Sequence, residues 1–296
     1  MLADPRLNDN DESRSAKNLS SSLLDLCAAA IASLPSEKTI GFSPESASIR
    51  VFAAADERGG GQHVIEAARL AERALLSACD HARAFALLIR AEKRPSTALI
   101  TVARGALEAA GRSRWLTSSL DIDAYLHRIL SMLRADLRHD VDVPDALESR
   151  TTGQLVDAAE RRSFYAAELN RMGLPAATRP NLSAMVRDLV AETSGLFDEK
   201  RLYSIYSGIA HGQLGALNAF VISSGGLSAP RLEAPLPVVT AATYQLIGAI
   251  RLASDQYITW LSGPDAARPH LVAAVERVAM NTRALPTVAF ASDVAD

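Results

Sequence analysis

Residues 62–92, QHVIEAARLAERALLSACDHARAFALLIRAE, and residues 96–116, STALITVARGALEAAGRSRWL, decide the architecture. In the first segment Val64, Ala68, Ala71, Leu75, Cys79, Ala82 and Ala86 recur at three- and four-residue spacing, which lines one face of a helix and no face of a strand. The second carries Leu99, Val102, Ala103, Ala106, Ala110 and Leu116 in the same way, with Ser96 as the capping residue after Pro95. A connection this short leaves two helices little choice but to fold back antiparallel, so the pair predicts a helical hairpin.

Outward from the hairpin, composition points the same way. Of the 296 residues 48% are hydrophobic but only 5% aromatic, so the interior must be made mainly of Ala, Leu, Val and Ile, which suits close-packed helices better than a sheet. The expected class is all-α, a helical bundle of about eight or nine helices in one domain over residues 19–283. Residues 1–18 read as a disordered arm and 284–296 as a flexible tail, since neither carries a periodic apolar face.

Further helices are expected from Ser20 or Ser21 to Leu34, from Asp121 to Leu137, and from Gln154 to Met172 with Gly173 closing the last. Asn181 or Ser183 caps another to Glu192, Asp198 starts one to Ile222, Val238–Leu261 forms a further helix, and Pro264-Asp265 opens the final one. Residues 36–61 read as a loop with a short strand near Ile49–Phe52.

Positions 202 to 230 contain no Asp, Glu, Lys or Arg, in a chain where 22% of residues are charged. A helix without a charged face is expected to be buried, so this segment reads as a buried uncharged central helix. Its Tyr, Ser, His, Gln and Asn residues interrupt any run apolar enough for a membrane span. Tyr203, Ser207 and His211 fall at i, i+4 and i+8 on one face, and Gly208, Gly212 and Gly215 suggest close approach of a backbone or a ligand. The alternative is a central helix whose glycines permit tight crossing and whose polar groups bond to neighbouring backbone. On the 96–116 helix Arg104 and Glu108 form an i, i+4 pair among small apolar residues, and a carboxylate in such a setting needs a cation or donors. His211 and Tyr203 could supply them. The candidate site is therefore Glu108 and His211 as catalytic acid and base, with Arg104, Tyr203 and Ser207 as binding residues.

The strings ALITVARGALEAAGRSRWL and RLYSIYSGIAHGQLGAL resemble two short signatures of bacterial helical proteins with an Arg-x-x-x-Glu helix and a later Tyr-x-x-x-Ser-x-x-x-His-Gly helix. Those proteins are loosely similar to the HEPN superfamily, whose members are often RNA-cutting toxins or antiviral defence proteins. The resemblance spans about 40 of the 296 residues. It implies a HEPN-like bundle acting on RNA or in a defence or toxin system, and self-association is expected with it. HEPN nucleases carry Arg, four to six residues, then His on one helix; Arg104, Glu108 and His211 depart from that spacing. Arg134 and His139 match it, without the polar residue expected directly after the arginine.

Two other functions stay open: a small-molecule-binding protein or enzyme using the same His/Glu pocket, and a non-catalytic interaction module. The net charge of −3 gives no reason to coat DNA or an anionic membrane. No phosphate-binding glycine loop, nucleophile elbow or paired Glu-x-x-His motif is present, so no cofactor or metal is expected. Seven Lys/Arg between His81 and Arg114 read as a solvated rim or a basic patch. Cys27 and Cys79 read as small core residues of a reducing compartment, and the polar, acidic N-terminus is unlike a signal peptide, so a cytoplasmic location is expected.

Overall fold

Two helices, α1 (Asp9–Ala32) and α2 (Ala47–Asp56), precede the hairpin of α3 (Gly61–Leu88) and α4 (Ser96–Thr117), which lies at the centre of the protein. The computed structural model describes residues 9–34, 44–91, 94–118, 121–137, 157–193, 199–217, 221–222, 231–234, 236–263 and 268–283. The hairpin's facing sides are built of alanine. Ala68, Ala71, Ala78, Ala82 and Ala86 of α3 and Ala103, Ala106 and Ala110 of α4 are all buried. Small side chains let the two backbones approach closely, which is why the longest contact in the bundle is also its least bulky.

The other helices wrap this pair. After the hairpin come α5 (Ile122–Asp136), α6 (Ala158–Arg171), α7 (Leu182–Thr193), α8 (Glu199–Ala210), the single turn α9 (Leu214–Leu217), α10 (Leu236–Ser262) and α11 (Pro269–Arg283). Helices α7, α8 and α10 cover α4; α1 lies against α3, α10 and α11; α5 carries α6. Trp260, Tyr257, Tyr125 and Phe85 are fully buried, and Tyr125 donates its hydroxyl to the Leu116 carbonyl at 3.1 Å. Each fully buried Leu or Phe in such a core contributes about 1.5–3 kcal/mol. Cys27 and Cys79, remote in sequence, are both buried as free thiols, one on α1 and one on α3.

Several boundaries follow from capping. Asp121 accepts from the Ala124 amide at 2.9 Å, Asn181 from Ala184 at 3.0 Å, and Asp157 from Ala159 at 2.8 Å. Gly173, at φ +67°, closes α6 as expected. Ser96 is the first residue of α4, with Pro95 in the capping position.

The all-α bundle is observed, with ten helices of ten residues or more and the four-residue α9 among the described residues. Three local expectations are corrected. First, α1 begins at Asp9, so residues 9–18 are helical where an arm was expected, and Ala16 is buried; residues 1–8 and 284–296 lie outside the described residues. Second, the expected loop contains α2, capped by Ser46, whose hydroxyl accepts from the Ile49 amide at 3.3 Å. Third, the uncharged stretch is not one helix to Ile222. It divides into α8, a turn, α9 and β1 (Val221–Ile222), which pairs antiparallel with β2 (Arg231–Leu232). α8 is also buried on one side only: Tyr206, Gly208 and Ile209 face the core, whereas Ser204 is exposed. No described helix is long and apolar enough to cross a membrane.

Candidate functional site

Arg104 and Glu108 lie one turn apart on α4, and Arg104 Nε donates to Glu108 Oε1 at 2.7 Å. Their side chains are 20% and 25% exposed, so the pair borders solvent and is not enclosed in the interior as the apolar neighbours implied. The apolar residues of α4 point to α3, α7 and α10; the pair occupies the side those helices leave open.

His211 reaches this pair from the end of α8. The Gly212 amide donates to the Ile209 carbonyl at 3.0 Å and the Gln213 amide to Gly208 at 2.8 Å, with Gly212 at φ +69°. These two bonds and the left-handed glycine form a Schellman end, which stops α8 at Ala210 and turns the chain outward. His211 is thereby exposed at the helix terminus, and Arg104 Nη1 lies 3.2 Å from its Nε2. Since guanidinium only donates, this contact is a hydrogen bond in the tautomer whose lone pair is on Nε2. The histidine therefore meets the Arg104–Glu108 pair at its arginine.

Of the other two candidates, Ser207 is half-buried and its carbonyl accepts from the His211 amide at 3.0 Å. Tyr203 lies on α8, but its side chain is outside the described residues. Arg104, Glu108 and His211 are thus brought together, with Ser207 one turn away.

Gly212 serves the helix end and not a tight crossing, since nothing lies within 4 Å of the place a Cβ would take. Gly212→Leu and Gly212→Ala are accordingly expected to cost the same, about 1–2 kcal/mol, from the left-handed backbone alone. Urea unfolding of the two variants checks this; a leucine clearly costlier than alanine would point to a crowded site.

A cleft of about 340 Å³ opens on the hairpin beside Glu108. Arg73, Ser77 and His81 of α3 face Glu108 and Arg112 of α4 across it, and Leu182 of α7 closes one end. Gly105 matters here: a Cβ on it would lie 3.0 Å from Cε1 and Nε2 of His81, so the glycine lets that ring rest against α4, and an alanine would push it back by a few tenths of an ångström. In the sequence His81 stands out only as the start of a basic stretch; the signal for its place was a glycine in the middle of a helix.

The arginines of the hairpin are mostly engaged. Arg112 contacts Asp136 at 3.2 Å, Arg114 pairs with Glu192, and Arg94 donates to the Ala234 carbonyl at 3.2 Å. They tie α4 to α5 and α7 and steady the hairpin's end, which argues against one open basic patch. Arg134 sits in the last turn of α5, and His139 lies outside the described residues.

A second polar cluster, unforeseen in the sequence, joins α3 to α6. His63 is 4% exposed, with Nδ1 3.3 Å from Glu66 Oε2 and Nε2 3.0 Å from Glu168 Oε2. Glu168 is gripped by Arg171 through two contacts of 2.8 Å, and Arg161 reaches Glu66 at 3.3 Å. Burial pulls the His63 basicity down, but its bonds to both carboxylates outweigh this and raise its pKa above the ordinary 6.5. Arg171, then His63, hold Glu168 down at about 2 against the opposing effect of burial. The two carboxylates stand at opposite edges of the ring, so they clamp it and do not converge. Among the described residues no three His, Cys, Asp or Glu side chains are placed to hold a metal ion.

Fold and site together define an all-α bundle with an arginine–carboxylate pair at the solvent border of its central helix, met by a histidine from the end of α8. No family model, curated protein or solved structure matches the chain.

Proposed function

We propose that this is a HEPN-like helical protein that binds single-stranded RNA and cuts it at the Arg104–His211 rim, in a bacterial defence or toxin setting. The observation that supports the reading is the pairing itself. Arginine and histidine, the two residue types the resemblance expects on one helix, meet here at 3.2 Å from α4 and the turn that ends α8. Glu108 anchors Arg104 through Nε, which aims the Nη edge of the guanidinium toward solvent, where a phosphate could dock.

The chemistry that follows is base-assisted transesterification. A phosphodiester drawing Arg104 Nη1 to its non-bridging oxygen frees His211 Nε2, which takes the proton of the 2′-hydroxyl. The 2′-oxygen bonds to phosphorus, the P–O5′ bond breaks, and the 5′-oxygen is reprotonated by His211 or water. The products are a 2′,3′-cyclic phosphate and a 5′-hydroxyl. Arg104 offsets the charge that builds on the phosphoryl oxygens. A cytoplasmic, self-associating form belongs to the same reading.

The test is purified protein with labelled single-stranded RNA at low and high salt. Binding should weaken steeply with salt, and cleaved ends should be cyclic phosphates. Arg104→Ala and His211→Ala should lower cleavage at least a hundredfold, in line with the usual weight of general base catalysis. Both residues border solvent, so their melting curves should move by about 0.5 kcal/mol or less. Absence of both binding and cleavage at low salt would end the RNA reading.

A further inference from the structure

We infer that the hairpin cleft is a separate binding site for a small organic anion, a single carboxylate or phosphate head on an apolar body. This goes beyond the RNA reading and does not depend on it: Glu108, the anchor of Arg104, borders both, but neither Arg104 nor His211 lines the cleft.

Three observations carry the inference. The first is which charges the cleft has left to offer. Glu108 is already engaged by Arg104 at 2.7 Å, and Arg112 by Asp136 at 3.2 Å, both partners lying outside the cleft lining. Arg73, by contrast, forms no ion pair with any described residue, and the His81 nitrogens take no hydrogen bond from one. An uncommitted guanidinium and an uncommitted imidazole on the same helix, across two turns of α3, are the donors an anionic head needs.

The second is that His81 is held in place at a cost to the helix. Glycine inside a helix is less favourable than alanine, and Gly105 is the residue whose missing Cβ lets the His81 ring lie close against α4. The third is shape. About 340 Å³ suits a molecule the size of a substituted benzene ring up to a mononucleotide and excludes a folded polymer, and Leu70, Ala74, Ala109 and Leu182 offer an apolar wall. Glu108 at the far side discriminates against a second negative charge and accepts from a hydroxyl or amine on the ligand body.

Benzoate, 4-hydroxybenzoate and phenyl phosphate are the probes, titrated without RNA into the full chain while the His81 imidazole resonances are followed by NMR. The expected result is a saturable shift of the His81 Cε1 proton, with 4-hydroxybenzoate binding more tightly than benzoate. Comparison of benzoate with phenyl phosphate tells which head is taken. Arg73→Met, which keeps the stem and removes the charge, should weaken binding about tenfold, the usual consequence of losing one charge-assisted contact. Gly105→Ala should push the ring back by a few tenths of an ångström and weaken the shift; the gain in helix propensity offsets the crowding, so a melting temperature close to that of the parent shows that weaker binding is not unfolding. The inference is overturned if no probe gives a saturable His81 shift at about 10 mM, where a site with a Kd of about 1 mM would be mostly filled. It is equally overturned if Arg73→Met and Gly105→Ala both leave the titration as it was.

Discussion

His63→Ala is expected to destabilise the protein by about 3 kcal/mol at pH 5.5, the low end for removing one partner of a buried ionic cluster. The low end applies because Glu66 keeps Arg161 and Glu168 keeps Arg171 when the imidazole is gone. What the variant loses is the cation that lets α6 sit on α3. Glu66 and Glu168 then face each other across the vacated space with only their outer arginines to hold them.

The same cluster gives a pH dependence whose sign can be worked out. His63 donates to a carboxylate from each nitrogen, which requires the imidazolium, and its folded pKa lies above the ordinary 6.5. A raised folded value means the stabilisation is fully present below about 6.5 and is lost as pH rises through the folded pKa. Glu168 behaves oppositely: with its folded value at about 2 against an ordinary 4.5, its contribution is present above 4.5 and lost as pH falls toward 2. The cluster therefore stabilises most between about pH 4.5 and 6.5. Urea midpoints from pH 5 to 9 should fall for the parent and run nearly flat for His63→Ala. Parallel curves for the two proteins would show that His63 is not charged in the folded state.

The second large effect is expected at Gly111→Leu, which should lower stability by about 3 kcal/mol or more, the upper range for overpacking. Gly111 is buried where α4 crosses α7, and a Cβ there would lie 3.2 Å from the backbone carbon and oxygen of Met185. A side-chain neighbour could rotate away; a helical backbone cannot yield without shifting the whole of α7. Gly111→Ala should be far milder, because the gain of about 1 kcal/mol in helix propensity opposes the crowding. Thermal melts of both variants against the parent check this, and a Gly111→Leu protein as stable as the parent would contradict the tight α4–α7 crossing.

The glycines of the uncharged stretch play different parts in the fold. In the sequence Gly208, Gly212 and Gly215 suggest one close-approach face. The structure separates them: Gly208 is buried, whereas Gly212 and Gly215 stand in open space and Gly212 ends the helix. The rule that glycine follows the last helical residue was available in the sequence, but the lack of charge on both sides of Gly212 masked the stop. Similarly, α2 was hidden because Ile49, Val51 and Phe52 suit a strand, and only burial of Ser46 and Ala55 against the bundle selects the helix.

Sequence alone determined the class of fold, the α3–α4 hairpin and the gathering of Arg104 with Glu108, because helical periodicity, short connections and i, i+4 spacing are local properties. It also singled out His211, since a histidine within a long uncharged stretch is conspicuous in one dimension. Tertiary structure decided what those residues face. That His211 meets Arg104, that His81 rests on Gly105, and that His63 lies between Glu66 and Glu168 depend on partners from different helices, Glu168 being 105 positions from His63. The physical reason is that helix periodicity specifies only which face of a helix is apolar. Which partner that face meets, and which polar group lies at its edge, is settled by packing the whole bundle at once.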